Sequence, residues 1–210
     1  MPVITDIVQH KKNKKFFSVF IDGEYKFSLS EPDLKFLNLK INDKISEDKL
    51  NFLIDTYVTQ KAFDAAYKLL SRKAVSENFL IEKLKQKDID ESVISTVVSR
   101  LKDMGYINDE RLIREYAFDK VQYKLIGPRK LYYELMNKKF KPELISKTVS
   151  EVFNEIDETD IARQAFEYRF KNLSEVKDIK IIKKIESYLL SRGFSHNVVF
   201  DLVKNIAKSD

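Results

Sequence analysis

The chain reads as a mainly α-helical protein: three tandem three-helix repeats forming an elongated, curved array, preceded by a small antiparallel β-hairpin or meander. Three observations predict this. One apolar skeleton recurs three times, at an offset of 51 residues and then of 54. The 4 glycines stand at boundaries between periodic stretches rather than inside them. The first 30 residues carry aromatic runs around an Asp-Gly pair, where no helical period is visible.

Taken in order, Phe16–Ile21 and Glu24–Leu29 flank Asp22-Gly23. A two-residue Asp-Gly link between such runs is the signature of a type I′ hairpin, whose central residues both need positive φ. Val3 to Val8 supplies a third strand, with Lys12-Asn13 at the turn. So few strands are marginal alone and need a helical face to pack on. From Ser30 the period turns helical. Ser30-Glu31-Pro32-Asp33 offers an N-cap, a first-turn proline and an acidic residue. Ser46-Glu47-Asp48 repeats the cap before Leu50, Leu53, Ile54, Tyr57 and Val58, spaced by threes and fours. Residues 1–58 are therefore expected to hold the β-hairpin and connecting helices.

The repeat follows. Glu77–Leu84 aligns with Pro128–Leu135, and without a gap Ile89 meets Phe140, Ile94 meets Ile145 and Val98 meets Val149. In the next copy Leu131 meets Ile185, Leu135 meets Leu189, and Phe140 meets Phe194. The extra residues of the third copy precede this aligned pair of helices. The expected repeats are 59–106, 107–155 and 156–210. Their first helices are expected at 60–72, 108–124 and 157–172, the second at 76–87, 128–138 and 178–191, and the third at 90–103, 141–154 and 195–208. Asn108, Gly127-Pro128, Pro142-Glu143 and Ser195 mark starts. Ile89, Phe140 and Phe194 are expected to plug the corner of each unit, and Phe79, Leu84, Leu131, Leu135, Tyr188 and Leu189 to be core. A unit of about 50 residues buries little alone, so adjacent copies should stack.

Composition narrows function. Hydrophobic residues at 43% beside 15 Phe and 10 Tyr argue for a packed core rather than disorder. No uncharged apolar run is long enough to span a bilayer, and Met1 to Lys15 has no apolar segment of a secretory signal. With 0 Cys there is no disulfide framework and no thiolate chemistry, which fits a reducing cytoplasm. His10 and His196 lie at opposite ends of the chain, and neither has a His, Asp or Glu partner at ligand spacing. The scattered glycines make no phosphate loop. Asp109-Glu110 sits in a first helical turn, where acids complement the helix dipole. No catalytic, cofactor or metal site is expected.

The remaining signal is charge. The formal net charge is +5. Between Arg111 and Lys147 stand Arg111, Arg114, Lys120, Lys124, Arg129, Lys130, Lys138, Lys139, Lys141 and Lys147, against Glu115, Asp119, Glu134 and Glu143. An acidic stretch, Glu151 to Asp160, follows. Arg111, Lys124, Arg129, Lys130, Lys138, Lys139 and Lys141 are candidate partner or DNA contacts. Arg129 and Lys130, just past Gly127-Pro128, would join side-chain donors to a positive helix end that can dock phosphate or carboxylate. Arg72, Lys73, Lys12 and Lys14 complete the candidates. A solvated lysine face explains the same charges, and Lys11–Lys15 equally suits a guarded strand edge. Of Tyr132 and Tyr133, one should face the core.

Leu69-Leu70-Ser71-Arg72-Lys73 with Ser76-Glu77, Gly105-Tyr106-Ile107-Asn108-Asp109-Glu110-Arg111, Gly127-Pro128-Arg129-Lys130-Leu131 with Glu134-Leu135, and Leu190-Ser191-Arg192-Gly193-Phe194-Ser195 follow one another in order. In this order and spacing the chain resembles the RecX family, over about residues 60 to 208, and the hairpin resembles the extension of its longer members. It departs at Lys87-Asp88 and Lys138-Lys139, where the family has Lys-Gly; Asp and Lys must then take the turn geometry that Gly takes freely. The resemblance implies a non-enzymatic modulator of the RecA recombinase in DNA repair and the SOS response. Such a protein would lie as a monomer along the RecA–DNA filament and mostly inhibit it, with at most weak direct DNA binding. Two other readings stay open: a general nucleic-acid-binding helical protein, and a helical scaffold for an unrelated protein.

Overall fold

Asp22 and Gly23 take φ of 52° and 82°, and Ile21 pairs with Glu24 across them, so the two-residue turn closes as the Asp-Gly pair requires. Strands β1 (Ile4–Gln9), β2 (Phe16–Ile21) and β3 (Glu24–Ser30) form an antiparallel sheet in that order. Alternation along the strands sends Val19, Ile21, Phe27 and Leu29 to one buried face. The coordinates are those of a computed structural model that describes residues 1–11, 13–171 and 178–207.

Ser30 ends the sheet and starts a helix. Its hydroxyl accepts the Asp33 amide at the start of α1 (Glu31–Phe36), and Ser46 caps α2 (Glu47–Asn51) in the same way. From α2 the chain runs without a break through a π-helical stretch, Phe52–Val58, into α3 (Thr59–Leu70). The threes-and-fours spacing predicts an ordinary α-helix here. The wider turn instead brings Leu53 and Val58, five residues apart, to the same buried side, and the Thr59 hydroxyl donates to the Ile54 carbonyl at 3.1 Å. The same turn aims Tyr57 at Asp33, which accepts its hydroxyl at 2.9 Å and pairs with Lys61 at 3.1 Å.

Three helices follow in each copy: α3, α4 (Glu77–Lys85) and α5 (Glu91–Asp103); α6 (Asp109–Lys124), α7 (Pro128–Asn137) and α8 (Pro142–Glu155); α9 (Glu158–Arg169), α10 (Ile179–Ser191) and α11 (His196–Ala207). The expected ends at 172 and 208 lie outside the described residues. At each corner between second and third helices the residue before the apolar plug is left-handed: Asp88 (φ 57°), Lys139 (φ 66°) and Gly193 (φ 88°). Two non-glycine residues thus hold the conformation that costs an L-residue roughly 1–2 kcal/mol. Behind them Phe140 and Phe194 are buried and Ile89 packs against the core.

Contacts divide the chain into two units, Met1–Ile107 and Asn108–Asp210, each with its own core. In the first, Ile4, Val19 and Phe27 of the sheet share a cluster with Leu80, Leu84, Val97 and Leu101 of the helices. The sheet thereby gains the apolar cover it needs. In the second, Ile113, Leu131, Leu135 and Ile145 pack with Ile161, Ile185, Leu189 and Val199. Phe79 departs from expectation. It is half-buried outside the core, and its ring lies 4.9 Å from the Lys73 ammonium and 5.5 Å from that of Lys83.

Candidate partner-binding surface

The basic block occupies α6, α7 and the start of α8. Its centre is Tyr116 on α6. The phenol donates to Glu134 of α7 at 3.1 Å, and Lys120, one turn on, reaches the same carboxylate oxygen at 2.6 Å. Lys120 and Lys138 each place an ammonium 5.1 Å from the Tyr116 ring centroid. One ring therefore gathers cations from two helices. Burial pushes the Glu134 carboxyl up, but the hydrogen bond and charge of Lys120, the Tyr116 hydroxyl and the charge of Lys130 together hold it below the usual carboxylate range. Glu134 raises the Lys120 ammonium in turn.

Around this centre the other cations divide. Arg111 pairs with Glu115 at 2.7 Å, and Arg114 with Glu155 at 2.7 Å and Glu151 at 3.8 Å. The acidic stretch thus neutralises one end of the block. Lys124 at the last turn of α6, Arg129 at the first turn of α7, and Lys138, Lys139 and Lys141 around the corner into α8 are exposed; Lys130 is half-buried. Among the described residues Lys124, Arg129 and Lys141 have no ion pair within 4 Å. The seven middle-repeat candidates belong to one unit. Arg72 and Lys73, after α3, and Lys14, between β1 and β2, belong to the other, and Lys12 lies outside the described residues.

The start of α7 is not open as the sequence suggests. The Arg129 amide donates to the Gly193 carbonyl at 3.1 Å and the Gly127 amide to the Arg192 carbonyl at 2.9 Å. The Arg192 guanidinium donates twice, at 3.2 and 3.1 Å, to the carbonyl of Leu125, itself left-handed at φ 50°. A backbone corner of the third copy therefore fills the helix end where an anion was expected. What remains for a ligand is the side chains of Arg129 and Lys130 on a rigidly held helix. Tyr133 is 62% exposed while Tyr132 packs on the core, so the pair divides as expected.

Two clusters were missed in the sequence. His10 does have an acidic neighbour: its Nδ1 lies 3.6 Å from Asp88, while Nε2 shares hydrogen bonds with Ser18 (2.9 Å) and Ser28 (3.2 Å). Tyr25 donates to Asp90 at 2.6 Å, and burial followed by that bond pushes its phenol up. These residues line a polar cavity of about 400 Å³ between the sheet and the α4–α5 corner. Among the described residues no three His, Cys, Asp or Glu side chains converge as metal ligands. The second cluster is the aromatic group of Phe63, Tyr67 and Tyr106 on the first three-helix unit. Sequence separations of tens of residues hide both.

The fold defines a class: three-helix units, the first of them packed with a small antiparallel sheet, and charge concentrated on helix faces. Residues 2–46 match the regulatory protein RecX N-terminal domain, and residues 62–101 match the first three-helix domain of RecX. The chain is 30% identical over 207 residues to the regulatory protein RecX of Caldanaerobacter subterraneus subsp. tengcongensis, covering 99% of this chain and 98% of that one. It is 29% identical to the regulatory protein RecX of Clostridium botulinum strain Eklund 17B, covering 97% and 96%. A crystal structure of regulatory protein RecX superposes with a TM-score of 0.61 at 21% identity, over 98% of this chain and 100% of that chain. The chain belongs to the RecX family of regulatory proteins.

Proposed function

We propose that the chain is a non-enzymatic regulator that binds RecA on its DNA filament and restrains recombinase activity in DNA repair and the SOS response. The observation that carries this reading is the cation face of α6 and α7. It is held in place by Tyr116–Glu134–Lys120 and by the Arg192–Gly193 corner, in a chain that belongs to a family of regulatory proteins. A pre-ordered helix face rich in exposed cations suits carboxylates or phosphates of a large partner, because little side-chain or backbone freedom is lost on docking. Arg129, Lys130, Lys138, Lys139, Lys141, Lys124 and Arg111 are its proposed contacts, with Arg72, Lys73, Lys14 and Lys12 as contacts elsewhere. The chain acts as a monomer in the cytoplasm.

The test is RecA's DNA-dependent ATPase and strand exchange with the chain at or below RecA stoichiometry. Inhibition by the wild type, lost in Arg129→Glu/Lys130→Glu while the thermal melt is unchanged, supports the reading. Unchanged ATPase and strand exchange with the wild type refute it.

A further inference from the structure

Two of the motifs singled out in the sequence, Leu69–Lys73 and Gly105-Tyr106, lie outside the cation face of the second unit. In the first unit Tyr67, two residues before Leu69, meets Tyr106 of the second motif. Tyr67, in the last turn of α3, and Tyr106, carried past α5 by left-handed Gly105 (φ 74°), set their ring centroids 5.3 Å apart at 90°. One turn earlier Phe63 lies parallel to Tyr67, at 6.3 Å and 8°. The guanidinium of Arg100 from α5 covers Phe63 at 4.7 Å.

Tyr67 is 45% exposed and Tyr106 46%, and neither packs in the core cluster of this unit. Single exposed aromatics need no explanation, but a contiguous series of three rings and a guanidinium does. The chain around them is cationic. Phe63–Lys73 and Arg100–Tyr106 carry Lys68, Arg72, Lys73, Arg100 and Lys102 against Asp64 and Asp103. Lys102 is tied to Glu77 at 2.8 Å, and Asp64 accepts from the Gln60 amide at 2.8 Å. Flat aromatic surface amid excess positive charge fits a polyanion with π faces of its own.

We propose that Tyr67 and Tyr106 form a base-stacking platform for single-stranded nucleic acid, with Arg72 and Arg100 meeting the flanking phosphates. The site goes beyond the RecA reading and stands without it. Each base stacks on an exposed tyrosine face, and the cations hold the backbone without reading sequence.

The chain has 10 Tyr and 0 Trp, so its intrinsic fluorescence is that of tyrosine, and the quenching lost in the Tyr67 and Tyr106 variants is the platform's share. The full chain is titrated with a dT oligonucleotide of about 20 nucleotides, without RecA, over a range of salt. Quenching with salt-dependent affinity is expected. Tyr67→Leu and Tyr106→Leu, which keep apolar bulk, each weaken binding by about tenfold or more. Tyr106→Phe keeps the ring and stays close to wild type. Arg72→Gln lowers the salt slope by about one. Tyr168→Leu, an exposed tyrosine of the other unit, changes nothing. The proposal fails if the wild type does not bind dT, or if folded Leu variants bind as the wild type does. It fails equally if Tyr106→Phe loses as much as Tyr106→Leu, or if the Leu variants lose only binding to a protein partner.

Discussion

Replacing Gly193 by alanine should destabilise the second unit by about 2–5 kcal/mol, from two separable causes. A Cβ at this position would lie 2.3 Å from the Lys130 amide nitrogen and 2.5 Å from its Cβ, where backbone cannot yield without displacing the start of α7. Overpacking of this kind costs about 1–3 kcal/mol. The left-handed φ of 88° adds roughly 1–2 kcal/mol for any L-residue. Moving the two elements apart also stretches the bonds from Gly127 to Arg192 and from Arg129 to Gly193, worth about 1 kcal/mol each. Two further alanines separate the causes. At Gly105 the φ is 74° with nothing within 4 Å, so only backbone strain remains and about 1–2 kcal/mol is expected. Gly127 has no positive φ, yet its Cβ would meet Gly193 and Phe194 backbone at 2.5 Å, so only the clash remains. Urea unfolding followed by circular dichroism measures all three. For a chain of 210 residues each kcal/mol also moves the melting temperature by about 2–4 °C. If Gly193→Ala is no worse than Gly105→Ala, the close approach of α7 to this corner is not what requires glycine, and the reasoning is refuted.

Other consequences follow from the same geometry. Arg192→Ala removes both donors to the Leu125 carbonyl and should cost about 1.5–3 kcal/mol in urea unfolding, with Arg192→Lys recovering less than half because an ammonium cannot supply the fork. The folded-state carboxyl of Glu134 is held low, so its stabilisation is present above the ordinary carboxylate range near 4.3 and is lost as pH falls through that depressed value. Accordingly, the stability gap between wild type and Glu134→Gln should be full near neutral pH and narrow as pH falls below the ordinary carboxylate range in a pH series of urea melts. Asp88→Ala should cost about 0.5–1 kcal/mol, because the left-handed strain is common to both residues and only the His10 contact is lost. Asp88→Gly should fall within about 0.5 kcal/mol of wild type, relief of strain offsetting the lost contact.

Most of the helical framework was legible because it is local. Apolar spacing located the helices to within two or three residues, and Asn108, Ser30 and Ser46 act as the caps their side chains suggest. Even the left-handed corners could be read, since Asp88 and Lys139 occupy the register of Gly193. The π-helical turn could not, because Leu50, Leu53, Ile54, Tyr57 and Val58 also satisfy α-helical spacing, and the Thr59 hydroxyl bond that favours the wider turn has no periodic signature. The candidate surface was legible as composition only. Nothing local says that Arg114 would be neutralised by Glu155, or that the corner at Arg192-Gly193 would close the helix end in front of Arg129. His10 with Asp88 and Tyr67 with Tyr106 failed for the same reason: the partners are distant in sequence and are joined only by the packing of elements.

The three corners show how one repeated backbone acquires three surface chemistries. Each has a left-handed residue before its apolar plug, and at Gly193 another backbone, that of α7 at Lys130, comes within 2.3 Å of where a Cβ would stand. There a side chain is excluded. At the other two corners a side chain is present: Asp88 turns towards His10 and ties the helices to the sheet, and Lys139 adds an exposed cation to the proposed binding face. The departures from glycine are therefore substitutions that the packing allows and the surface uses. Exchanging the residues tests this directly. Asp88→Gly should leave a folded chain of nearly unchanged stability, whereas Gly193→Asp should meet the Lys130 backbone and cost more than Gly193→Ala, because a larger side chain starts from the same blocked Cβ. Equal unfolding midpoints for the two exchanges would show that the corners are interchangeable and that the divergence of the repeats carries no structural meaning.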